Sequence, residues 1–243
     1  MPNPTAAMLV IGDEILSGRT RDANMYHLAN VLTEKGIDLT EVRVVADDRT
    51  AIVTAVKALS GAWDHVFTSG GIGPTHDDIT ADCMAEAFGV GIDVRDDARA
   101  LLAAHYARSG SEFNAARLRM ARIPDGSVLI DNPVSVAPGF SIGNVHVMAG
   151  VPAVFEAMVA TVMPGLTGGA PLISQTVRID RGESDIAMVL TGLAQAHPDL
   201  SIGSYPFQRD GKFGANIVIR GTDEVEISAV RNALLNAFAG DAA

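Results

Sequence analysis

Adjacent carboxylates beside a run of glycines are the most chemically suggestive feature of the sequence. In TSGGIGPTHDDIT, Thr68 to Thr80, the residues Gly70, Gly71 and Gly73 lie just before Asp77 and Asp78. Glycines let a backbone approach a phosphate with no Cβ in the way. A following helix N-terminus adds N–H donors and the positive end of a dipole. Carboxylates repel phosphate, and a divalent cation between them resolves the conflict, because hard cations take carboxylate and phosphate oxygens together. The structural alternative is that Asp77 caps a helix beginning near Ile79 and Asp78 sits in its first turn. Spacing does not choose between the two.

Four further segments place similar chemistry after short apolar runs. VIGDEILSG brings Gly12 and the pair Asp13 and Glu14, as ligands or as helix-capping residues. ADD ends a strand-like run, with Asp47 either an acidic ligand at a sheet edge or the cap of a helix starting near Thr50. DNPVSVAPGF, with two prolines and a glycine, is a shaped loop offering the Ser135 hydroxyl. AGVP places Gly150 before a helix with Pro152 in its first turn, which is expected to leave N–H groups free for an anion. His65, His105, His146 and His197 show no metal-ligand spacing, His27 is equally uninformative, and His76 stands out only because it adjoins the two aspartates. Cys83 reads as a small buried residue with nothing basic beside it. The glycine loop is neither a Walker A motif nor GxGxxG, and Ser69 has no GxSxG elbow that would make it a hydrolase nucleophile.

The elements that must position these residues follow from periodicity. Strand-like runs alternate with helical ones from residue 6 to about 166, which predicts βαβ units and a three-layer α/β sandwich with a mostly parallel sheet. In such sheets ligands bind beyond the carboxyl ends of the strands. Gly12, Gly70 and Gly150 each follow a strand-like run, so their loops are expected on one edge. PGLTGGAP, Pro164 to Pro171, is the linker, dividing a domain of residues 1–168 from a small α+β domain of residues 169–243 with a βαββα pattern.

Of the 243 residues 48% are hydrophobic and 19% charged, enough apolar content for a sizeable core, and the net charge is −11. The acidity and the lack of a dense Lys/Arg run argue against nucleic-acid binding, with RLRMAR, Arg117 to Arg122, the nearest basic cluster. No apolar run is long enough to span a membrane, the N-terminus does not read as a signal peptide, and a single cysteine forms no internal disulfide. A cytoplasmic location is the expectation.

Taken together, GDEIL, ADD, GGIGPTHDDIT, Asn114, NPVSVAPGF and GVPAVFEAM resemble the molybdopterin-binding (MoCF-biosynthesis) fold, and in particular its CinA-like branch. RIDRGESDIAMVL and SIGSYPF resemble the small domain that follows the core in that branch, and a similar domain accompanies eukaryotic FAD synthases. The resemblance covers nearly the whole chain, with no expected counterpart of the C-terminal nicotinamide-nucleotide amidase domain of longer members. The familiar PGVP reads AGVP here, with Ala149, and GTAPGF reads SVAPGF, with Ser135 and Val136.

The resemblance implies a core that self-associates, as a dimer or trimer, and a small-molecule nucleotide or pterin as ligand. It maps functional aspartates onto Asp47 and Asp78. It implies metal-dependent cleavage of a phosphoanhydride in an ADP-ribose-type substrate, with molybdopterin binding without hydrolysis as the alternative. On that reading Asp78 and Asp47 hold a divalent ion (Mg, Mn, Co or Ni, with K as a further requirement in view). Asp77 and Asp13 assist them. Gly70, Gly71 and Gly73 admit the diphosphate. Gly12, Glu14, Ser69, Thr75, Ser135, Gly150 and Pro152 complete the ligand-binding set. Arg181, Glu183 and Ser184 are the small-domain residues expected to reach a ligand, unless that domain serves as a dimerisation element.

Overall fold

The computed structural model describes residues 2–209 and 211–240, apart from the side chain of Lys212. The chain divides into two compact units, Met1–Gly169 and Ala170–Ala243. The first runs β1 (Thr5–Ile11), the single-turn α1 (Asp13–Leu16), α2 (Asn24–Lys35), β2 (Asp38–Val45), α3 (Arg49–Ala62) and β3 (His65–Ser69). It continues with α4 (Thr80–Phe88), β4 (Ile92–Val94), α5 (Asp96–Ser109), the short α6 (Ala115–Leu118), β5 (Arg122–Pro124), β6 (Val128–Ile130), β7 (Gly139–Ile142), β8 (Val145–Met148) and α7 (Pro152–Val162).

Six of these strands form one sheet in the order β2-β1-β3-β8-β7-β6. The four from β2 to β8 are parallel, and β7 and β6 extend the sheet antiparallel. The alternation along β1 explains the layering. Ala7, Leu9 and Ile11 face a core shared with Ile52, Val56 and Leu59 of α3, Met84 of α4 and Leu102 of α5. Ala6, Met8 and Val10 face the opposite core, shared with Leu28 and Leu32 of α2 and with Phe155 and Met158 of α7. A strand buried on both faces reads as a continuous apolar run, which is what TAAMLVI is. The result is the predicted three-layer α/β sandwich with a mostly parallel sheet.

Three short elements depart from the sequence expectation. β7 lies in a stretch read as loop, because a four-residue strand opening on glycine carries too little pattern. Its Gly139 crosses so close to β8 that a Cβ would collide with the Val147 carbonyl. β4 and β5 form a separate two-stranded sheet, again too short to be read from periodicity.

The second unit is β9 (Ile173–Ile179), α8 (Glu183–Ala196), β10 (Ser201–Arg209), β11 (Lys212–Gly221) and α9 (Glu224–Ala237), the predicted βαββα order. Its antiparallel sheet, ordered β10-β11-β9, buries Val177, Ile179, Ile217 and Ile219 against Ile186 of α8 and Ile227, Val230 and Leu234 of α9. Within this unit Glu183 accepts a hydrogen bond from the Ser204 hydroxyl at 2.7 Å, and the Arg181 guanidinium lies 5.6 Å from the Phe238 ring centroid. No helix among the described residues is long and apolar enough to cross a membrane.

Candidate functional site

Because β1, β3 and β8 are neighbours in the sheet, the loops after them meet at its carboxyl edge. The Gly12 N–H donates to the Val45 carbonyl and the Gly70 N–H to the Met148 carbonyl, each at 3.1 Å. Gly70 has φ 111° and Gly71 φ 68°, both in territory that favours glycine. Space is as restrictive as torsion. A Cβ on Gly70 would strike the Ile11 carbonyl, and one on Gly71 the Thr80 hydroxyl. A Cβ on Gly150 would lie 3.3 Å from the Gly70 Cα. Thr80, fully buried at the start of α4, holds the loop: its N–H donates to the Gly71 carbonyl and its hydroxyl to the Gly70 carbonyl, both at 3.0 Å.

This edge surrounds a cavity of about 540 Å³. Gly12, the loop Gly70–Gly73, Ser135, Gly150 and Pro152 line it, together with the carboxylates Glu14, Asp47, Asp77 and Asp78. Neither lysine nor arginine is among the described lining residues. The wall is therefore acidic, and a cation would ease the entry of an anion.

The capping alternatives resolve against the capping role. Asp48 caps α3, accepting from the Ala51 N–H at 2.8 Å, which leaves Asp47 at the sheet edge with its Oδ2 taking the Asp13 N–H at 3.0 Å. Helix α4 starts from Ile79 with no side-chain cap, so Asp77 does not cap it. Likewise α1 is preceded by Gly12, and neither Asp13 nor Glu14 caps it from a side chain. Asp78 turns its Oδ2 to the Thr75 N–H at 2.8 Å and the Thr75 hydroxyl at 2.5 Å. Burial pushes the Asp47 carboxyl above the usual range, and the neighbouring charges of Asp13, Glu14 and Asp77 push the same way against the Asp13 hydrogen bond. Such a carboxylate gains from a nearby cation.

Several residues from the sequence reading stand outside the main wall. Thr75 is exposed and positions Asp78, and Asp13 is exposed and reaches Asp47 through its backbone. Ser69 is 2% exposed and lines a separate side cavity. The first turn of α7 offers fewer donors than expected. Pro152 has no N–H, and the Val154 and Phe155 N–H groups both return to the Val151 carbonyl, at 3.0 and 2.9 Å. The three arginines of RLRMAR do not enter the cavity. Arg117 stacks over Tyr106, Arg119 donates to the Asp78 carbonyl at 3.3 Å, and Arg122 makes a two-pronged ion pair with Asp82. Cys83 is buried, its thiol pushed up to about 11 chiefly by burial, so it is no nucleophile.

Four residues that support the site were not read from the sequence. They are Thr80, Asp48, Asn24 and Asn132. Asn132, 2% exposed, donates to the Ser135 hydroxyl at 2.7 Å and the Ala137 carbonyl at 2.8 Å, while its Oδ1 takes the Val134 and Ser135 N–H groups at 3.1 Å. It closes a turn in which Val136 is held at φ 68°, a strained value for a β-branched residue. Asparagine beside proline was the available signal for that turn. A buried amide such as Asn24 leaves no periodic trace.

A parallel-stranded three-layer sandwich with a glycine loop and acidic strand ends is the architecture expected of the CinA-like resemblance. Residues 7–168 match the family described as probable molybdopterin binding domain, and residues 171–243 match the FAD synthase middle domain. The chain belongs to the probable molybdopterin-binding family, as a CinA-like member of it. It is 33% identical to a probable FAD synthase from Caenorhabditis elegans over 97% of this chain and 50% of that one. It is 36% identical to a CinA-like protein from Citrifermentans bemidjiense over 78% of this chain and 45% of that one. Among solved structures, CinA of unknown function from Thermoplasma acidophilum is 34% identical, with a TM-score of 0.62, over 67% of this chain and 97% of that chain. The chain spans about half the length of the two curated relatives named.

Proposed function

We propose that the chain hydrolyses the phosphoanhydride of ADP-ribose or a related nucleotide with the help of a divalent cation. One observation carries this reading: four carboxylates and a glycine loop share the cavity, with no basic side chain described in its wall. A diphosphate would lie along the cavity face of the Gly70–Gly73 loop, beside carboxylates, so its charge calls for a cation.

The cation is tested against the residues present. No group of three or more His, Cys, Asp and Glu side chains among the described residues is set to hold a metal by itself. An ion held by one or two carboxylates plus substrate phosphates is the remaining kind, and Asp47 and Asp78, both in the cavity wall, are the two we assign. When bound, the ion supplies Lewis-acid polarisation of the phosphoryl group and activation of water. The chain does the rest. Asp13 orients Asp47 through its N–H, Thr75 orients Asp78, and Thr80 keeps the glycine loop open for the diphosphate. Water adds to one phosphorus, the bridging P–O bond breaks, and two phosphomonoesters leave: AMP, and the other sugar carrying the second phosphate.

The test is AMP release from ADP-ribose, FAD and NAD by metal-stripped protein given Mg, Mn, Co or Ni, with and without K. Metal-dependent AMP from one substrate supports the reading and names the substrate class. No AMP under any condition overturns it. A second reading, pterin binding without turnover, is favoured by the description of the matching family. Saturable binding of molybdopterin by a protein that releases no AMP would select it.

A further inference from the structure

The arginines of RLRMAR lie close together in the chain, and packing sends each a different way. The buried Ala121 ends the 3₁₀ turn Arg119–Ala121 that follows α6. Arg117 lies over the Tyr106 ring, 4.2 Å from its centroid, and Arg122 is occupied by both oxygens of Asp82, at 2.8 and 3.0 Å. Arg119 is half-buried and makes no ion pair among the described residues. Its guanidinium donates instead to the Asp78 main-chain carbonyl, at 3.3 Å.

Arg119 lines a small cavity of about 20 Å³, with room for roughly one water. Gly71, Ile72, Gly73, Asp78 and Met120 belong both to its wall and to that of the main cavity, so the two spaces adjoin along the glycine loop. Among the described residues of the first unit, Arg119 is the one basic side chain hydrogen-bonded to a residue of the main wall. Arginine is not deprotonated in proteins, so this charge is permanent. It is bound to no carboxylate, and half-burial screens it less than a surface charge. A fixed positive charge beside a cavity favours an anion there and disfavours a cation.

We propose that Arg119 is an electrostatic positioning residue of this site: its charge, fixed beside the glycine loop by the Asp78 carbonyl, favours the diphosphate and disfavours a cation that arrives alone. The inference rests on the diphosphate reading above and adds the group that ties cation binding to the arrival of the anion.

The test is Arg119→Met in the full chain, which keeps an apolar stem and removes the charge. Two probes are titrated. One is Mn alone, followed by its paramagnetic resonance. The other is the α,β-methylene analogue of ADP-ribose, which cannot be cut, followed by calorimetry with saturating Mg. The variant is expected to bind Mn about threefold tighter and the diphosphate analogue about threefold weaker, the scale of a screened charge interaction. Arg119→Lys keeps the charge and is expected to stay near the wild type with both probes. The opposite signs are decisive, because a purely structural Arg119 weakens both probes together. Mn bound no tighter, an unchanged diphosphate affinity, or Arg119→Lys behaving as Arg119→Met overturns the proposal. Should Arg119→Met fail to fold, Arg119→Gln, equally neutral, is read by the same two titrations. Binding of neither probe by the wild type overturns the cation-assisted diphosphate reading itself, a different failure.

Discussion

Asp47 carries a cost that its proposed role explains. Its carboxyl is raised by burial and by three neighbouring carboxylates, so ionising it works against the ligand-free fold at neutral pH. The sign follows: a raised acid penalises the folded state above its folded-state value, and the penalty disappears below the ordinary aspartate value. Asp47→Asn is therefore expected to raise the melting temperature of the metal-free protein. The same change is expected to cut metal-dependent AMP release at least about 10–100-fold, the scale found even for the outer partners of a metal ligand. A variant that is no more stable and fully active would remove Asp47 from the site. His146 shows the opposite linkage. It is 7% exposed between Phe67 and His65, its Nδ1 paired with the Ser141 hydroxyl at 2.8 Å and its Nε2 unpartnered. Burial, and then the His65 charge, lower its value from 6.5 to about 4. The unfolded chain thus takes up the proton first. Stability is full above about 6.5 and declines as pH falls towards about 4, by on the order of 3 kcal/mol. Denaturant titrations across that window are expected to show a clearly shallower pH slope for His146→Leu than for the wild type.

At the scale of elements, the glycine loop is a clamped segment rather than a loose one. Thr80 at the head of α4 and Met148 at the end of β8 take up its backbone groups from two sides. Gly70 has no room for a side chain and a φ that an L-residue resists. Gly70→Ala is expected to lose about 1–2 kcal/mol from torsion alone, with more from the collision with Ile11. Melting and diphosphate binding measured together would check it, and both should fall. The sequence made this loop legible because glycine, proline and paired aspartates announce a shaped turn. It did not reveal the partner of each group. The ambiguity over Asp47 came from two adjacent aspartates, and only the Asp48 bond to Ala51 separated the cap from the site residue.

Over the whole molecule, two units that each bury their own core residues imply two cooperative events. The residues around Leu9 and Met8 belong to the first unit, and those around Ile217 to the second. The described lining of the main cavity comes entirely from the first. Differential scanning calorimetry is expected to give a calorimetric enthalpy above the van't Hoff value, the mark of a chain that does not melt in one step. A single two-state transition would mean that the two units unfold as one.

Periodicity alone determined the βαβ alternation of the first unit and the βαββα order of the second, because helix and strand bury their apolar faces with different repeats. Residue type alone pointed to the glycine loop and the acidic strand ends as the candidate site, since few side chains suit cations and phosphates. Tertiary structure decided which aspartate caps and which faces the cavity, that the RLRMAR arginines stay out of it, and that Asn24 spans β3 and β8 with one oxygen unpaired. Those outcomes depend on neighbours distant in the chain: Asn24 meets Ser69 and Gly150 only because the sheet order sets β3 beside β8. Contact between residues so far apart in sequence arises from packing, and local patterns carry no record of it.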